Sequence, residues 1–335
     1  MNLKDIAKLA GVSVATVSNV INGNHRKVSD KTRAKVEKII REYDYKPNAL
    51  ARSLVKKESM IIGVVVPYVG GGESFLVNPY NAHIIAALEN YVRSRDYYLM
   101  LRCVGTTGEV IPLLSSWNVD GAFFLGVMGS DVSQIQQALG VPVVFIDTYA
   151  ENETFMNVGV DDYRGGFLSA RYLLSCGHKK IALATPGYEE DGVIRQRVMG
   201  FKDALAEAGL AFDEDDVFRT DTLYSNAVKV GQDIALSGKG YTAAATMSDI
   251  VAFGLIEGMR QCGASVPEDM SVIGFDNLPE SEYYTPKLTT ISQDFDAKAK
   301  AAGEMLFDMI DGKDEAKDIH LTVNVVERQS VRKIK

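Results

Sequence analysis

Short apolar runs alternate with longer amphipathic segments from Ile61 onward, and this alternation limits the fold more than any other feature of the sequence. The runs have the length of buried strands, whereas the longer segments repeat apolar residues at helical spacing. We predict strands at 61–67, 98–103, 119–125, 143–146, 180–184, 243–247 and 271–275. We predict helices at 79–94, 164–175, 196–208, 226–236 and 251–262. Strands that alternate with helices favour parallel sheets made of βαβ units.

The alternating series runs twice, which predicts an α/β domain of two doubly wound, parallel-sheet lobes. We expect this domain to span 59–335, with one lobe at 59–160 plus 292–320 and the other at 161–291 plus 321–335. In open sheets of this kind, ligands bind at the carboxyl ends of the strands. The sequence therefore predicts a binding cleft between the two lobes.

The composition excludes several classes of protein. The 335 residues contain no run of about 18 apolar residues, so we expect neither a membrane span nor a membrane partner. The N-terminus alternates charged with apolar residues and lacks the apolar stretch of a secretory signal. The three cysteines, Cys103, Cys176 and Cys262, lie far apart without metal or disulfide spacing. These features predict a cytoplasmic protein, and no motif calls for a metal or another cofactor.

The charge is distributed unevenly along the chain. Residues 1–58 hold 13 Lys and Arg against 6 Asp and Glu, a net charge of +7. The remainder holds 23 against 38, a net charge of -15. A short basic segment on an acidic body indicates contact with a polyanion, although a solvated basic tail would carry the same charge.

Residues 1–47 carry three helical patterns. The first runs from Leu3 to Ala10, where Asn2 can cap the helix and Gly11 can end it. The second follows Ser13, a residue type that favours the N-cap position. Its inward residues are Val17, Val20 and Ile21, and its outward residues are Val14, Ala15, Ser18, Asn19 and Asn22. The third begins near Ser29 and has one apolar face, made of Val36, Ile39, Ile40 and Tyr43.

Two short helices joined by a tight glycine turn predict a helix-turn-helix, whose second helix fits the major groove of DNA. Residues 48–58 follow a turn that Pro47 enforces. The segment from Asn48 to Leu54 is too short to hold a helix alone in water. We therefore expect a hinge that is helical only when something packs against it.

Three blocks in this region carry a family resemblance. They are D-I-A-x-x-A-G-V-S-x-x-T-V-S-x-V-I-N-G at 5–23, V-S-x-x-T-R-x-K-V at 28–36 and Y-x-P-N-x-x-A-R-S-L at 45–54. Each resembles the LacI/GalR family of bacterial transcription regulators. The resemblance implies that Val14, Ala15 and Asn19 face the bases. Hydroxyl and amide side chains suited to phosphates are Ser13, Thr16, Ser18 and Asn22. The family resemblance also implies that Leu54 wedges into the minor groove, although Leu54 could instead pack on the neighbouring domain.

The rest of the chain resembles the regulatory domain of the same family, which shares its fold with periplasmic sugar-binding proteins. The matching pieces include V-D-G-x-x-x-x-G at 119–126, P-V-V-F-I-D at 142–147, R-x-x-G-F at 197–201 and S-V-I-G-F-D at 271–276. The resemblance implies a small-molecule effector, a carbohydrate, held at the positions of Arg195 and Asp276. Asp147 ends a predicted strand, and Ser248 stands where many relatives carry Asn. Tyr68 and Tyr80 could stack on a sugar ring.

Each effector residue also has a plain structural interpretation. Arg195, Asp276 and Asp147 could form ion pairs within one lobe, and an aromatic residue beside a strand end is more often part of the core. The four histidines lie in separate segments, and no nucleophile or phosphate-binding motif accompanies them, so we expect no enzyme. The exported sugar-binding class lacks support because no signal segment precedes the basic head.

The predicted protein is a repressor that binds double-stranded operator DNA under the control of its effector. One short reading helix makes few base contacts, so we expect a homodimer on a palindromic site. The alternative is a catabolite-control regulator, whose co-effector would be a phosphorylated carrier protein.

Overall fold

The computed structural model describes residues 2–21, 25–45, 59–67, 75–104, 109, 112, 118–150, 154–189, 192–313 and 317–335. The chain divides into two compact units, Met1–Ser59 and Met60–Lys335. The described helices are α1 Leu3–Ala10, α2 Val14–Ile21, α3 Asp30–Glu42, α4 Pro79–Ser94, α5 Gly129–Ala138, α6 Asp162–Ser175, α7 Val193–Glu207, α8 Tyr224–Leu236, α9 Asp249–Gln261, α10 Glu280–Tyr283 and α11 Phe295–Ile310. None of these helices has both the length and the apolar character that a membrane span requires.

The described strands are β1 Ile61–Pro67, β2 Tyr98–Val104, β3 Gly121–Leu125, β4 Val143–Ile146, β5 Asn157–Val160, β6 Ile181–Thr185, β7 Val217–Arg219, β8 Ala243–Thr246, β9 Ser271–Asp276, β10 Thr289–Ser292, β11 Asp318–Leu321 and β12 Asn324–Val326. They form two six-stranded sheets, in the orders β11-β5-β4-β3-β1-β2 and β12-β10-β9-β8-β6-β7. The recorded pairings are parallel except that of β12 with β10. The predicted two-lobed, parallel-sheet fold is confirmed.

The first unit is the predicted three-helix head. Asn2 caps α1 in a capping box with Asp5, and Gly11 ends the helix in the left-handed region at φ 65°. The core of the unit consists of small and β-branched residues, namely Ile6, Ala7, Ala10, Val17, Val20, Val36 and Ile39. The prediction for Tyr43 is wrong. It follows the last turn of α3 and is 52% exposed, whereas Tyr45 packs against the core.

The second unit carries one sheet in each lobe. The chain passes between the lobes three times, after β5, after β10 and after β11. These passages place Asp161, Gln293 and Thr322 at the junction of the lobes. Side chains from both lobes therefore meet where the strands of each sheet end.

Helices α6 and α7 pack backbone to backbone in the second lobe. A Cβ added at Gly166 would lie 1.8 Å from the carbonyl oxygen of Arg197. One added at Gly200 would lie 1.9 Å from the carbonyl oxygen of Tyr163. Only glycine permits this approach, and the approach fixes where α7 presents its side chains to the lobe junction.

Candidate functional sites

Helix α2 exposes the short side chains that the sequence assigns to DNA. Ser13, Val14 and Ala15 are exposed, and Thr16, Ser18 and Asn19 are half-buried. Val14 leaves 41% of its surface open to solvent, whereas Val17 and Val20 are buried in the core. The face that points away from the core thus carries short side chains, and the major groove of DNA is wide enough to admit an α-helix.

Ser13 also holds the start of this helix. Its Oγ accepts a hydrogen bond from the Thr16 backbone N–H at 3.1 Å, and the two hydroxyls lie 2.9 Å apart. This is the predicted N-cap. Three sequence-predicted residues, Asn22, Leu54 and Tyr68, lie outside the described residues, as does the 48–58 hinge.

A cavity of about 210 Å³ lies between the lobes of the second unit. The first lobe contributes Tyr80 and Asp147, and the second contributes Arg197, Ser248 and Asp276. The apolar part of the wall is made of Val66, Leu125, Val193, Ile194 and Met247. The structure thus brings together four of the six residues that the sequence assigns to the effector: Tyr80, Asp147, Ser248 and Asp276.

Arg195 is absent from this group. Its guanidinium donates to the backbone carbonyl of Glu189 at 3.1 Å, and it does not line the cavity. Arg197 lines the cavity instead. Side chains two positions apart on a helix point in directions that differ by about 200°, so Arg195 and Arg197 face nearly opposite sides of α7. The helical phase was the missed signal, because Arg197 shares its face with the buried Phe201 and Leu205.

Arg197 is anchored on several sides. Its Nε donates to Oδ1 of Asp162 at 2.7 Å, and its Nη1 donates to the Met247 carbonyl at 2.6 Å. Its Cζ lies 3.6 Å from the ring centroid of Phe275. Burial alone would lower the pKa of this guanidinium, but the neighbouring Asp162 and Asp276 raise it. Arg197 is therefore a fixed cation in the cavity wall.

Both cavity aspartates occupy the left-handed backbone region at strand ends. Asp147 follows β4 with φ 56°, and Asp276 ends β9 with φ 124°. Such a conformation costs on the order of 1–3 kcal/mol for a residue other than glycine. The turn directs both carboxylates toward the space between the lobes.

Asp276 is buried and sits between a cation and an amide. Gln293 Nε2 donates to its Oδ1 at 2.7 Å, and Arg197 Nη1 lies 3.9 Å from the same oxygen. Burial raises the pKa of Asp276 to about 8, although Arg197 acts in the opposite direction. This carboxyl can therefore hold a proton at neutral pH and act as donor or acceptor.

Asp147 is bound by Lys298, a residue that is not among the predicted site residues. Lys298 Nζ on α11 lies 2.7 Å from Oδ1 of Asp147, and the Tyr80 hydroxyl donates to Oδ2. Desolvation, followed by the charge of Asp147, raises the pKa of Tyr80 well above its usual value. A signal for Lys298 existed, because a lysine in phase with Ala302 and Met305 lies on the apolar face of its helix.

Ser248 precedes α9 and faces the cavity. Its Oγ is buried and has no hydrogen-bond partner among the described residues. A buried hydroxyl without a partner costs free energy, which a ligand oxygen or nitrogen would recover on binding.

A helix-turn-helix unit followed by a two-lobed unit with a polar cavity defines a ligand-binding transcription regulator. The lacI family of bacterial regulatory proteins matches residues 2–48, and the periplasmic binding protein-like domain matches residues 170–331. The chain is 33% identical to the HTH-type transcriptional repressor PurR of Vibrio campbellii, over 99% of each chain. It is 34% identical to the PurR repressor of Vibrio parahaemolyticus, again over 99% of each.

Solved structures of transcription regulators are similar to this chain as well. The lac repressor dimer bound to operator and the anti-inducer ONPF is similar at a TM-score of 0.86 and 25% identity, over 99% of each chain. The CelR–cellobiose complex is similar at 0.74 and 25%, over 98% of this chain and 99% of that one. The chain belongs to the lacI family of bacterial regulatory proteins, and it is a DNA-binding transcriptional repressor with a periplasmic-binding-protein-like domain. The family resemblance drawn from the sequence motifs is confirmed.

Proposed function

We propose that this protein is a homodimer whose affinity for a palindromic operator is controlled by a carbohydrate-like effector in the cavity between the lobes. The observation that carries the proposal is that both lobes supply polar side chains to the cavity, among them Asp147 and Asp276 at strand ends. A ligand that touches both lobes binds one lobe arrangement better than another, and so shifts the population toward it. Cellobiose in the CelR structure, and ribose in a LacI-family regulator of Enterococcus faecium that is 28% identical at a TM-score of 0.72, support this ligand class.

The protein acts as a regulator in the cytoplasm, at the nucleoid, and not as an enzyme. The support is that its full-length relatives are repressors. Its dimerisation is supported by the lac repressor, which is a dimer on its operator. In a dimer, two copies of α2 would read the two halves of the operator.

For the DNA interface, we propose that Asn19 reads a base edge beside Val14 and Ala15, and that Ser13, Thr16, Ser18 and Asn22 position the phosphates. The Asn19→Ala variant should lose on the order of 1–3 kcal/mol of operator affinity while random duplex is bound as before. As a matched control on the same helix, Ser18→Ala should weaken binding to the operator and to random duplex by the same factor. Equal losses on both duplexes for Asn19→Ala would contradict base reading.

We further propose that the Leu54 side chains of the two subunits wedge into the minor groove between the half-sites. Wedging kinks the duplex because it unstacks a base step. Leu54→Ala should therefore reduce operator bending in a gel-shift assay with circularly permuted sites. An unchanged bend angle would place Leu54 against the protein instead.

The effector is testable through Asp276. A thermal-shift screen against sugars, sugar phosphates and uronates identifies compounds that raise the melting temperature by mass action. Asp276→Ala should abolish that shift and the effector's influence on operator binding, while operator binding itself persists. The exposed Asp233 offers a control, because Asp233→Ala should leave the response unchanged. A normal response in Asp276→Ala would remove Asp276 from the site.

A further inference from the structure

Asp249 is the first residue of α9 and follows Ser248, but it does not line the effector cavity and is fully buried. Its carboxylate accepts hydrogen bonds from the segment after β9 and from β10. Oδ2 accepts from the Leu278 N–H at 2.8 Å and from the Ser281 hydroxyl at 2.7 Å. Oδ1 accepts from the Thr290 hydroxyl at 2.5 Å. One carboxylate therefore holds the segment after β9 against the neighbouring strand.

The segment after β9 begins with a backbone turn that determines where Asp276 points. Asp276 and Asn277 both lie in the left-handed region, at φ 124° and 56°. Such a conformation persists only where the surrounding structure fixes it. The Asn277 N–H donates to the Thr290 hydroxyl at 3.3 Å, and the Leu278 N–H donates to Asp249. Asp249 thus holds, directly and through Thr290, the two peptide N–H groups that follow Asp276.

The Asp249 carboxylate fits beside β9 because that strand carries a glycine. A Cβ added at Gly274 would lie 2.2 Å from Asp249 Oδ1 and 2.8 Å from Leu288 Cδ2. A larger residue would have to displace the carboxylate, because the core leaves no spare volume there. Gly274 stands two residues before Asp276, so the same strand admits the buried carboxylate and presents the cavity acid.

The cavity acid Asp276 is surrounded by ionisable groups from several elements, namely Tyr80, Arg197, Asp249 and Lys298. Burial raises the pKa of Asp276 to about 8, and the two cations oppose that shift. The charge of Asp249 raises this pKa, in the same direction as burial. Asp276 Oδ1 accepts from Gln293 Nε2 at 2.7 Å, so the proton belongs on Oδ2.

Asp249 has the lower pKa of this pair of acids. Burial raises the pKa of Asp249 to about 7, while its hydrogen-bond donors and the charge of Arg328 lower it. An ionised carboxyl group only accepts hydrogen bonds, so three donors favour the charged form. Two neighbouring carboxyl groups resist being ionised together, and the charge on Asp249 therefore leaves the proton on Asp276.

We propose that Asp249 is a positioning residue, which sets the direction and the hydrogen-bonding role of Asp276 toward the effector without touching the effector itself. The inference rests on the proposed function, because it concerns the same cavity. Helix α9 then serves the cavity twice. Ser248 offers a hydroxyl to the ligand, and the next residue holds the opposite acid from behind the wall.

The first test needs no ligand and uses the full-length protein. Infrared titration detects the band of a protonated carboxyl group, and loss of a band in Asp276→Asn assigns it to Asp276. In Asp249→Asn this band should disappear at a pH about one unit lower than in the wild type, because a neighbouring negative charge is gone. A wild type without the band, or an unchanged midpoint, would overturn the proposal.

The second test separates geometry from charge. Asp249→Asn keeps an oxygen for Leu278 N–H and Ser281, and its NH₂ group can donate to Thr290. Hydrogen exchange at the two amides that follow Asp276 should therefore stay as slow as in the wild type. Asp249→Ala removes these partners, and exchange there should become about tenfold faster or more. Where Asp249→Ala does not fold, the infrared titration of Asp249→Asn decides alone.

Ser330→Ala is the matched control for both tests. Ser330 is as buried as Asp249 and accepts from Thr289 N–H at 2.8 Å. Its hydroxyl donates to the Val272 carbonyl at 2.6 Å, at the end of β9 remote from Asp276. Its loss should leave the infrared midpoint and exchange at the two amides unchanged. Equal exchange rates in Ser330→Ala and a folded Asp249→Ala would overturn the positioning role.

The third test measures the consequence for binding, with ribose and cellobiose as calorimetric probes. For a sugar that binds the wild type, Asp249→Asn should bind equally well at about pH 6 and up to about tenfold more weakly above about pH 8. Equal affinities across this range would overturn the proposal. If the wild type binds neither sugar, the carbohydrate effector of the proposed function loses its support, and the infrared titration still judges Asp249.

Discussion

The Nε of Arg197 and Oδ1 of Asp162 lie 2.7 Å apart, and both side chains are buried. Asp162 also accepts a hydrogen bond at 2.9 Å from the hydroxyl of Tyr149, which follows β4 in the first lobe. Desolvation raises the pKa of Asp162, and the charge of Arg197 opposes that shift. One carboxylate thus joins the cavity arginine to a tyrosine of the opposite lobe.

The first prediction concerns this pair. Arg197→Met leaves Asp162 as a buried charge without its cation, which should destabilise the protein by about 3–5 kcal/mol. Arg195→Met is the matched control, since it changes the same residue type on the opposite side of α7 and should alter stability by less than about 0.5 kcal/mol. Urea unfolding measures both variants. Equal midpoints for the two would show that the buried pair contributes little.

The second prediction concerns the contact between α6 and α7. Gly166→Ala and Gly200→Ala each drive a methyl group into a facing backbone carbonyl. Overpacking of this kind should cost roughly 1–3 kcal/mol and move Arg197 within the cavity. Gly140→Ala is the control, because an added Cβ there meets nothing within 4 Å. Thermal unfolding measures the stabilities, and a Gly166 variant as stable as the Gly140 variant would contradict the close approach.

The third prediction is a pH dependence. Burial raises the pKa of Asp276 to about 8 in the folded protein, against about 3.9 in an unfolded chain. The folded state therefore keeps a proton that the unfolded state loses. The contribution of this proton to the free energy of unfolding is fully present below about pH 4 and is lost as the pH rises through about 8.

Asp276→Asn cannot lose that proton. Its free energy of unfolding should therefore rise relative to the wild type between pH 5 and 8, in urea titrations at several pH values. Asp233→Asn, at an exposed position, should run parallel to the wild type across the same range. Parallel curves for Asp276→Asn would show that Asp276 is ionised throughout.

The fourth prediction concerns the start of α2. Ser13→Ala removes the acceptor of the Thr16 N–H and should cost about 1 kcal/mol of helix stability. Hydrogen exchange should then be faster at the first α2 amides and unchanged in the second unit. Ser29→Ala is the counterpart, because Ser29 Oγ caps α3 by accepting from Thr32 N–H at 3.3 Å. This variant should make exchange faster at the first α3 amides. Unchanged exchange at the start of α2 would show that water replaces the cap without cost.

Much of the secondary structure could be predicted because its signals are local. The strand at 143–146 and the helix at 79–94 match β4 and α4 at both ends, since a buried apolar run and an amphipathic repeat each need only neighbouring residues. The helix α11 and the short edge strands β7 and β12 are not among the elements predicted from the sequence pattern. Lys298 and the small residues of α11 dilute its apolar repeat, and three-residue strands carry too few positions for a pattern.

The sequence by itself determines the three-helix head, the parallel sheets and the aspartates at the ends of β4 and β9. These features follow from capping, periodicity and strand length, which act over short distances along the chain. Which charges meet was decided by the tertiary structure. Asp147 and Lys298 are 151 positions apart, and Asp162 and Arg197 are 35 apart. The apolar phase of α7 and α11 indicates which side chains each helix buries. Which buried charges then pair depends on how the chain passes between the lobes, and neighbouring residues do not encode that path.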